Sequence, residues 1–171
     1  ILDLILQQLR KAIDCDNASF LEIKDDHLVV AACQGFRKHD KVIGTAIPLD
    51  PEGPSWRVLT ERTVVFTSDV IREYPFFLDG VGEVTDEQEL IRSWMGVPLL
   101  SGDDVVGIFT LDRLEVRPFT DEEVELAMAF ANQAAVAIEN ARLYAQTQQH
   151  AEELERRVEE RTRQLEAANK E

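Results

Sequence analysis

The chain has 171 residues, enough for one globular domain whose core needs neither disulfides nor metal, with some length left for an extension. Thirty-three acidic against 18 basic residues leave a formal charge of −15, which repels a nucleic-acid backbone and an anionic membrane surface alike. Composition therefore argues against nucleic-acid partners and against membrane contact in this segment, and no apolar run reaches the roughly 18 residues that a membrane span requires.

Ile1, Leu2, Ile5, Leu6, Leu9, Ala12 and Ile13 recur at steps of three and four, placing one apolar stripe on a first helix. Two runs rich in branched and aromatic residues, 18–24 and 27–33, flank Asp25-Asp26 and predict a β-hairpin. The stretch 35–53, with Pro48, Pro51 and flanking glycines, reads as loop with one strand around 45–49. Pro54 follows Gly53 at a helix start, and Trp56 and Leu59 share a face up to Arg62. "TVVFT" is a short strand. Residues 68–85 have no clear period, but Tyr74, Phe76 and Phe77 put three aromatics within four residues. Thr85 and Gln88 have capping-box spacing, which predicts about two helical turns over 85–92.

"WMGVPLLSGDDVVGIFTLDRL" is a second hairpin, Trp94 to Leu100 and Val105 to Leu114, with Gly107 marking a bulge or a close backbone approach. Thr120 and Glu123 form another capping box, and Phe119 and Val124 occupy the staple positions that flank it. No Pro or Gly follows, so a single helix is expected to run on through residue 171. Since the chain opens inside an apolar helical pattern and stops inside a charged one, it is expected to be an excerpt of a longer polypeptide. The element order implies an antiparallel sheet flanked by helices, an α+β domain.

The stretch "SWMGVPLLSGDDVVGIFTLDRLEVRPFTDEEVELAMAFANQAAVAIENARLY" resembles the C-terminal half of a GAF domain through its GVPL strand, GIFTLDR strand, FTDEE helix start and AIENARLY helix. The resemblance covers residues 1–145. Residues 146–171 are similar to the coiled-coil linker that joins such domains to a histidine kinase, a PAS domain or a cyclase in bacterial sensors. It implies a sheet of about six strands, a small-molecule pocket on one face, and a dimerising helical layer on the other. The implied role is the sensory module of a two-component sensor histidine kinase. A dimerisation scaffold whose pocket is filled by its own aromatics, and the sensor of a diguanylate cyclase, are the alternatives. The family binds cyclic nucleotides, bilins, haem, metabolites or nothing, and fold alone does not choose among them.

Cyclic-nucleotide members carry an asparagine-lysine pair, a phenylalanine, and an aspartate-glutamate pair three residues on. Here Asp112-Arg113 replaces the first pair, and only one residue, Thr120, separates Phe119 from Asp121-Glu122, so the match is poor. No cysteine follows Cys33, which removes the usual site of covalent bilin attachment and leaves the cofactor, if any, unknown. Cys15 and Cys33 have no zinc or redox spacing and read as small buried apolar residues of a protein made in a reducing compartment, the cytoplasm. His27, His39 and His150 read as exposed. Asp121, Glu122 and Glu123 occupy the first turn of a helix, where carboxylates favour the positive end of its dipole. With no nucleophile and base at useful spacing, this segment is not expected to be an enzyme.

By position in the resemblance, Trp56, Phe66, Tyr74, Phe77 and Trp94 are candidates for an aromatic pocket wall. Arg72 and Arg92, with Ser93, are candidates for polar contacts to a small anion. In the last helix, Phe130, Ala137, Tyr144, Ala151, Val158 and Leu165 recur every seven residues, the seam of a left-handed coiled coil. Companions at plus four, Ala134 and Ala141, give way to companions at plus three, Leu154 and Ala168, so the register shifts near Gln148, with Arg161 a polar seam position. Such a seam predicts a homodimer paired through the first and last helices. Glu152, Glu153 and Glu159 each precede an arginine by four residues, which supports an exposed helix.

Overall fold

A computed structural model describes residues 2–81 and 84–168, leaving aside the side chains of Glu87 and Glu166. The elements in order are α1 (Leu2–Ala12), β1 (Asn17–Lys24), β2 (His27–Gln34), α2 (His39–Val42), β3 (Ala46–Pro48) and α3 (Pro54–Glu61). They continue as β4 (Val65–Thr67), α4 (Val70–Glu73), α5 (Asp86–Glu89), β5 (Ser93–Ser101), β6 (Asp104–Arg113) and α6 (Asp121–Ala168). Ile1 and residues 169–171, expected at the ends of the first and last helices, lie outside the described residues. The strands form one antiparallel six-stranded sheet in the order β3-β2-β1-β6-β5-β4, the α+β architecture of a GAF fold. The chain divides into two compact units, Ile1–Val136 and Ala137–Glu171.

Side chains alternate across a strand, so each central strand feeds two cores. Leu21, Val30, Trp94 and Ile108 join Val58 of α3 in one buried cluster. The alternate positions Phe20 and Phe109 meet edge to face on the other side, their ring centroids 5.9 Å apart. Leu6 and Leu9 of α1, with Ile13, are fully buried, and α1 packs against β1 and β2. Each such side chain contributes about 1.5–3 kcal/mol.

Both expected hairpins form. Between Leu99 and Leu100 the β5–β6 register shifts, and a Cβ on Gly107 would overlap the Phe20 ring, so the glycine marks both a bulge and a close approach. The capping box at α6 closes: Thr120 N donates to Glu123 Oε2 at 2.9 Å, and Glu123 N donates to Thr120 Oγ1 at 3.2 Å. Two expectations are corrected, and one stretch without an assignment gains an element. Residues 35–53 hold a helical turn, α2, besides their strand, and residues 68–85 hold another, α4. The helix after Thr85 is one turn, not two, because Arg92 N donates to Arg113 O and draws the chain into the sheet.

Candidate ligand cavity

Between the Leu21/Trp94 face of the sheet and the segments around α3 and α4–α5 lies a cavity of about 80 Å³. That is room for a few waters or a small organic group, less than the roughly 300–1,000 Å³ of pockets for drug-sized ligands. Strand alternation and register set its floor. Ser19 lies opposite Thr110 across β1 and β6, and both line the cavity together with Asp112, which lies opposite Asn17. Leu21, Val30, Ile91 and Trp94 form apolar walls, and Phe76, Phe77, Asp50 and Asp79 come from the loops. Trp94 is buried and meets Phe77 edge to face at 6.1 Å. Gly96 makes room for that indole, since a Cβ there would overlap it and crowd Val58.

Asp112 is 4% exposed, and its carboxyl has no hydrogen-bond partner among the described residues. Burial, and secondly the Asp16 carboxylate, push its pKa up to about 8. Opposite it, Asn17 Nδ2 is buried without a partner. In contrast, Gln88 is engaged, its Oε1 accepting from Thr85 N at 2.9 Å and from Thr85 Oγ1 at 3.1 Å.

Of the residues singled out for a pocket, Phe77 and Trp94 line this cavity, while Tyr74 lies in an adjoining recess with Phe76 and accepts from Arg57 Nη1 at 3.1 Å. Trp56, Phe66 and Arg72 are exposed and line neither space. Arg92 donates to both carboxylate oxygens of Asp69, at 2.9 and 3.1 Å. Ser93 Oγ lies 2.8 Å from both Ser68 O and Glu115 O, to either of which it donates its one proton, and it accepts from Arg117 N at 2.8 Å. The polar groups at the cavity floor are thus Ser19, Thr110 and Asp112, which sequence reasoning missed. Cys15 and Cys33 are buried free thiols whose pKa values burial pushes up to about 12 and about 11, so neither is a ready nucleophile.

The neighbour of Asp112 points the other way. Arg113 is fully buried, and its guanidinium donates to Asp14 O at 2.8 Å, Pro118 O at 2.8 Å, Arg117 O at 3.3 Å and the Glu123 carboxylate. It also lies 4.0 Å from the centre of the Phe119 ring. Arg113 thereby clamps the end of β6 to the start of α6, and Glu123 serves both the clamp and the helix cap.

Along α6, Tyr144, Leu154, Val158 and Leu165 are 68%, 60%, 64% and 65% exposed, and Ala141 and Ala151 are exposed as well. Phe130 and Ala137 are half-buried. Ala134 is fully buried, so it has no surface to offer a partner in this conformation. Val136 and Leu143, themselves seven residues apart and exposed, were not part of the predicted seam and widen the apolar stripe there.

One result follows from the floor alone. A buried Asp with a raised pKa binds a proton in the folded chain that the unfolded chain has released, so stability falls as pH rises from about 4 to about 8 and then levels off. Asp112→Asn removes that loss. Urea unfolding is expected to find the variant level with the parent near pH 4 and progressively more stable up to pH 8; a constant difference between pH 4 and pH 8 would contradict the assignment.

The GAF domain family profile matches residues 1–138. The anaerobic nitric oxide reductase transcription regulator NorR of Enterobacter sp. (strain 638) is 28% identical over 139 residues, covering 76% of this chain and 26% of that protein. The chain thus spans about a quarter of the length of that curated relative. A crystal structure of a methyl-accepting chemotaxis protein, residues 122 to 287, superposes with a TM-score of 0.70 at 25% identity, over 84% of this chain and 89% of that one. The GAF-B domain of DevS from Mycobacterium smegmatis superposes with a TM-score of 0.66 at 22% identity, over 85% of this chain and 95% of that one. With the family matched over most of its length and the sheet order and layering in place, this chain belongs to the GAF family and is a regulatory or sensory GAF module.

Proposed function

We propose that this segment is the sensory GAF module of a multidomain bacterial signalling protein, a cytoplasmic two-component sensor histidine kinase. It holds a small molecule in the cavity and relays its state through a paired helix to an output domain. The observation that carries this reading is the cavity itself: apolar walls with a few convergent polar groups, one of which, the Asp112 carboxyl, has no partner among the described residues. Buried polar groups without partners are costly, and a ligand that satisfies them is held more tightly than one that does not. The exposed stripe Leu154, Val158 and Leu165 supports the second half, because a helix that stayed solvated would have no use for it. Leu4, exposed on α1, supports a contribution of the first helix to the same homodimer. Relay requires only that the ligand bind one packing of the paired helices better than another.

A native mass spectrum of residues 1–171 tests both halves. A dimer carrying extra mass per subunit is the expected result, and that mass identifies the ligand. A bare dimer to which no small molecule can be added would favour a dimerisation scaffold, and a bare monomer at micromolar concentration would remove the relay.

A further inference from the structure

Among the described residues, every ionisable side chain lining the cavity is acidic. Asp50 and Asp79 come from the loops and Asp112 lies at the floor, while no Lys, Arg or His among the described residues lines it. Asp50 accepts from Glu52 N at 3.0 Å, but Asp112 is buried with no partner. Aromatic groups, Trp94 and Phe77, stand in the same wall with apolar neighbours. An anion entering this space would meet three carboxyl groups and no counter-charge. A cation would meet the reverse, with aromatic faces to receive its body and its positive edge.

Resting on the reading of this space as a ligand cavity, we propose that it selects a small organic cation, an ammonium or amidinium group on an apolar or aromatic body. The N–H groups donate to Asp112 and the body lies against Trp94 and Phe77. The hydroxyls of Ser19 and Thr110, beside Asp112 on the floor, accept from further N–H groups. In the empty cavity the Asp112 carboxyl keeps its proton up to about pH 8, so a cation that binds below that pH displaces it. The charged and titratable groups around Asp112 are Asp16 and Cys15 ahead of β1, Asp50 and Asp79 from the cavity loops, and Arg113, which faces the other side of the sheet. Asp16 and desolvation hold the proton on, and a bound cation opposes both.

The test uses three probes of nearly one shape and three charges, benzamidinium, benzamide and benzoate, titrated calorimetrically into the whole chain above pH 8. Benzamidinium is expected to bind at least about tenfold more tightly than benzamide, with benzoate undetectable. Asp112→Asn, whose fold is not at risk since it removes only a buried unpaired acid, is expected to erase the benzamidinium preference while leaving benzamide within about twofold. Below pH 8 the benzamidinium titration is expected to release protons, read from the dependence of heat on buffer ionisation. Benzoate or benzamide binding as well as benzamidinium would overturn the cation assignment and leave the ligand cavity standing. Unchanged benzamidinium binding by Asp112→Asn would do the same, and no binding by any of the three at millimolar concentration would overturn both.

Discussion

Replacing Arg113 with Met is expected to cost about 3–5 kcal/mol of folding stability, as much as truncating a large core side chain. Methionine replaces only the aliphatic stem, so the space of the guanidinium is left unfilled, and the Asp14, Arg117 and Pro118 carbonyls and the Glu123 carboxylate lose their partner. Arg113→Lys separates charge from geometry. Lysine keeps the positive charge near Glu123, but its single ammonium cannot reach Asp14 O, Pro118 O and the carboxylate together, so it is expected to fall between the parent and the methionine variant. Urea unfolding midpoints of the three proteins decide it. A methionine variant within about 1 kcal/mol of the parent would mean that the clamp is replaceable by apolar packing, as happens for some buried ion pairs.

The second large effect lies far along α6. Leu154→Glu combined with Val158→Glu places two carboxylates per chain on the stripe that the homodimer would bury. Each lost apolar side chain removes about 1.5–3 kcal/mol of burial, and four are lost per dimer, before any repulsion between the new charges. Dimer dissociation is expected to strengthen by at least about a thousandfold, seen as conversion to monomer in sedimentation equilibrium at micromolar concentration. Gln149→Glu, an exposed position off the stripe, is the control and is expected to leave the association unchanged. A double variant that sediments as the parent does would place any pairing elsewhere on the surface.

Local devices were legible in the sequence, and distant pairings were not. The capping box of Thr120 and Glu123 spans four residues, and its two hydrogen bonds follow from residue type and spacing alone. Both hairpins and the irregularity at Gly107 are of the same local kind. The cavity floor is another matter. Asp112 acquires its meaning from lying opposite Asn17 in the next strand, a register that no short window contains. In isolation it reads as a polar residue at the end of a strand.

The aromatic residues divide for a related reason. Phe66 sits in a strand of three residues, with Val65 and Thr67 turned inward and Phe66 turned out, and a one-residue slip would have reversed the assignment. Trp94 and Phe77 meet although 17 positions separate them, while Trp56, on the solvent side of α3, does not join them. The single turns α2 and α4 are too short to announce themselves by period; Val42 and Val70, each buried in the cavity-side core, hold them in place. Ala134 read as a seam residue because small residues suit both a coiled coil and close packing within a domain, and spacing alone does not separate the two.

Asp112 and Arg113 share a peptide bond and face opposite sides of the sheet. A carboxyl that lines the cavity is therefore joined covalently to the group that anchors the foot of α6. A tilt of that one peptide plane, a few degrees of φ and ψ within a strand, moves both ends in opposite senses, like a rocker on a fixed pivot. A linkage of that kind would need no mobile loop and no chain of side chains, and its signature would be that substitutions at the two positions have effects that do not add.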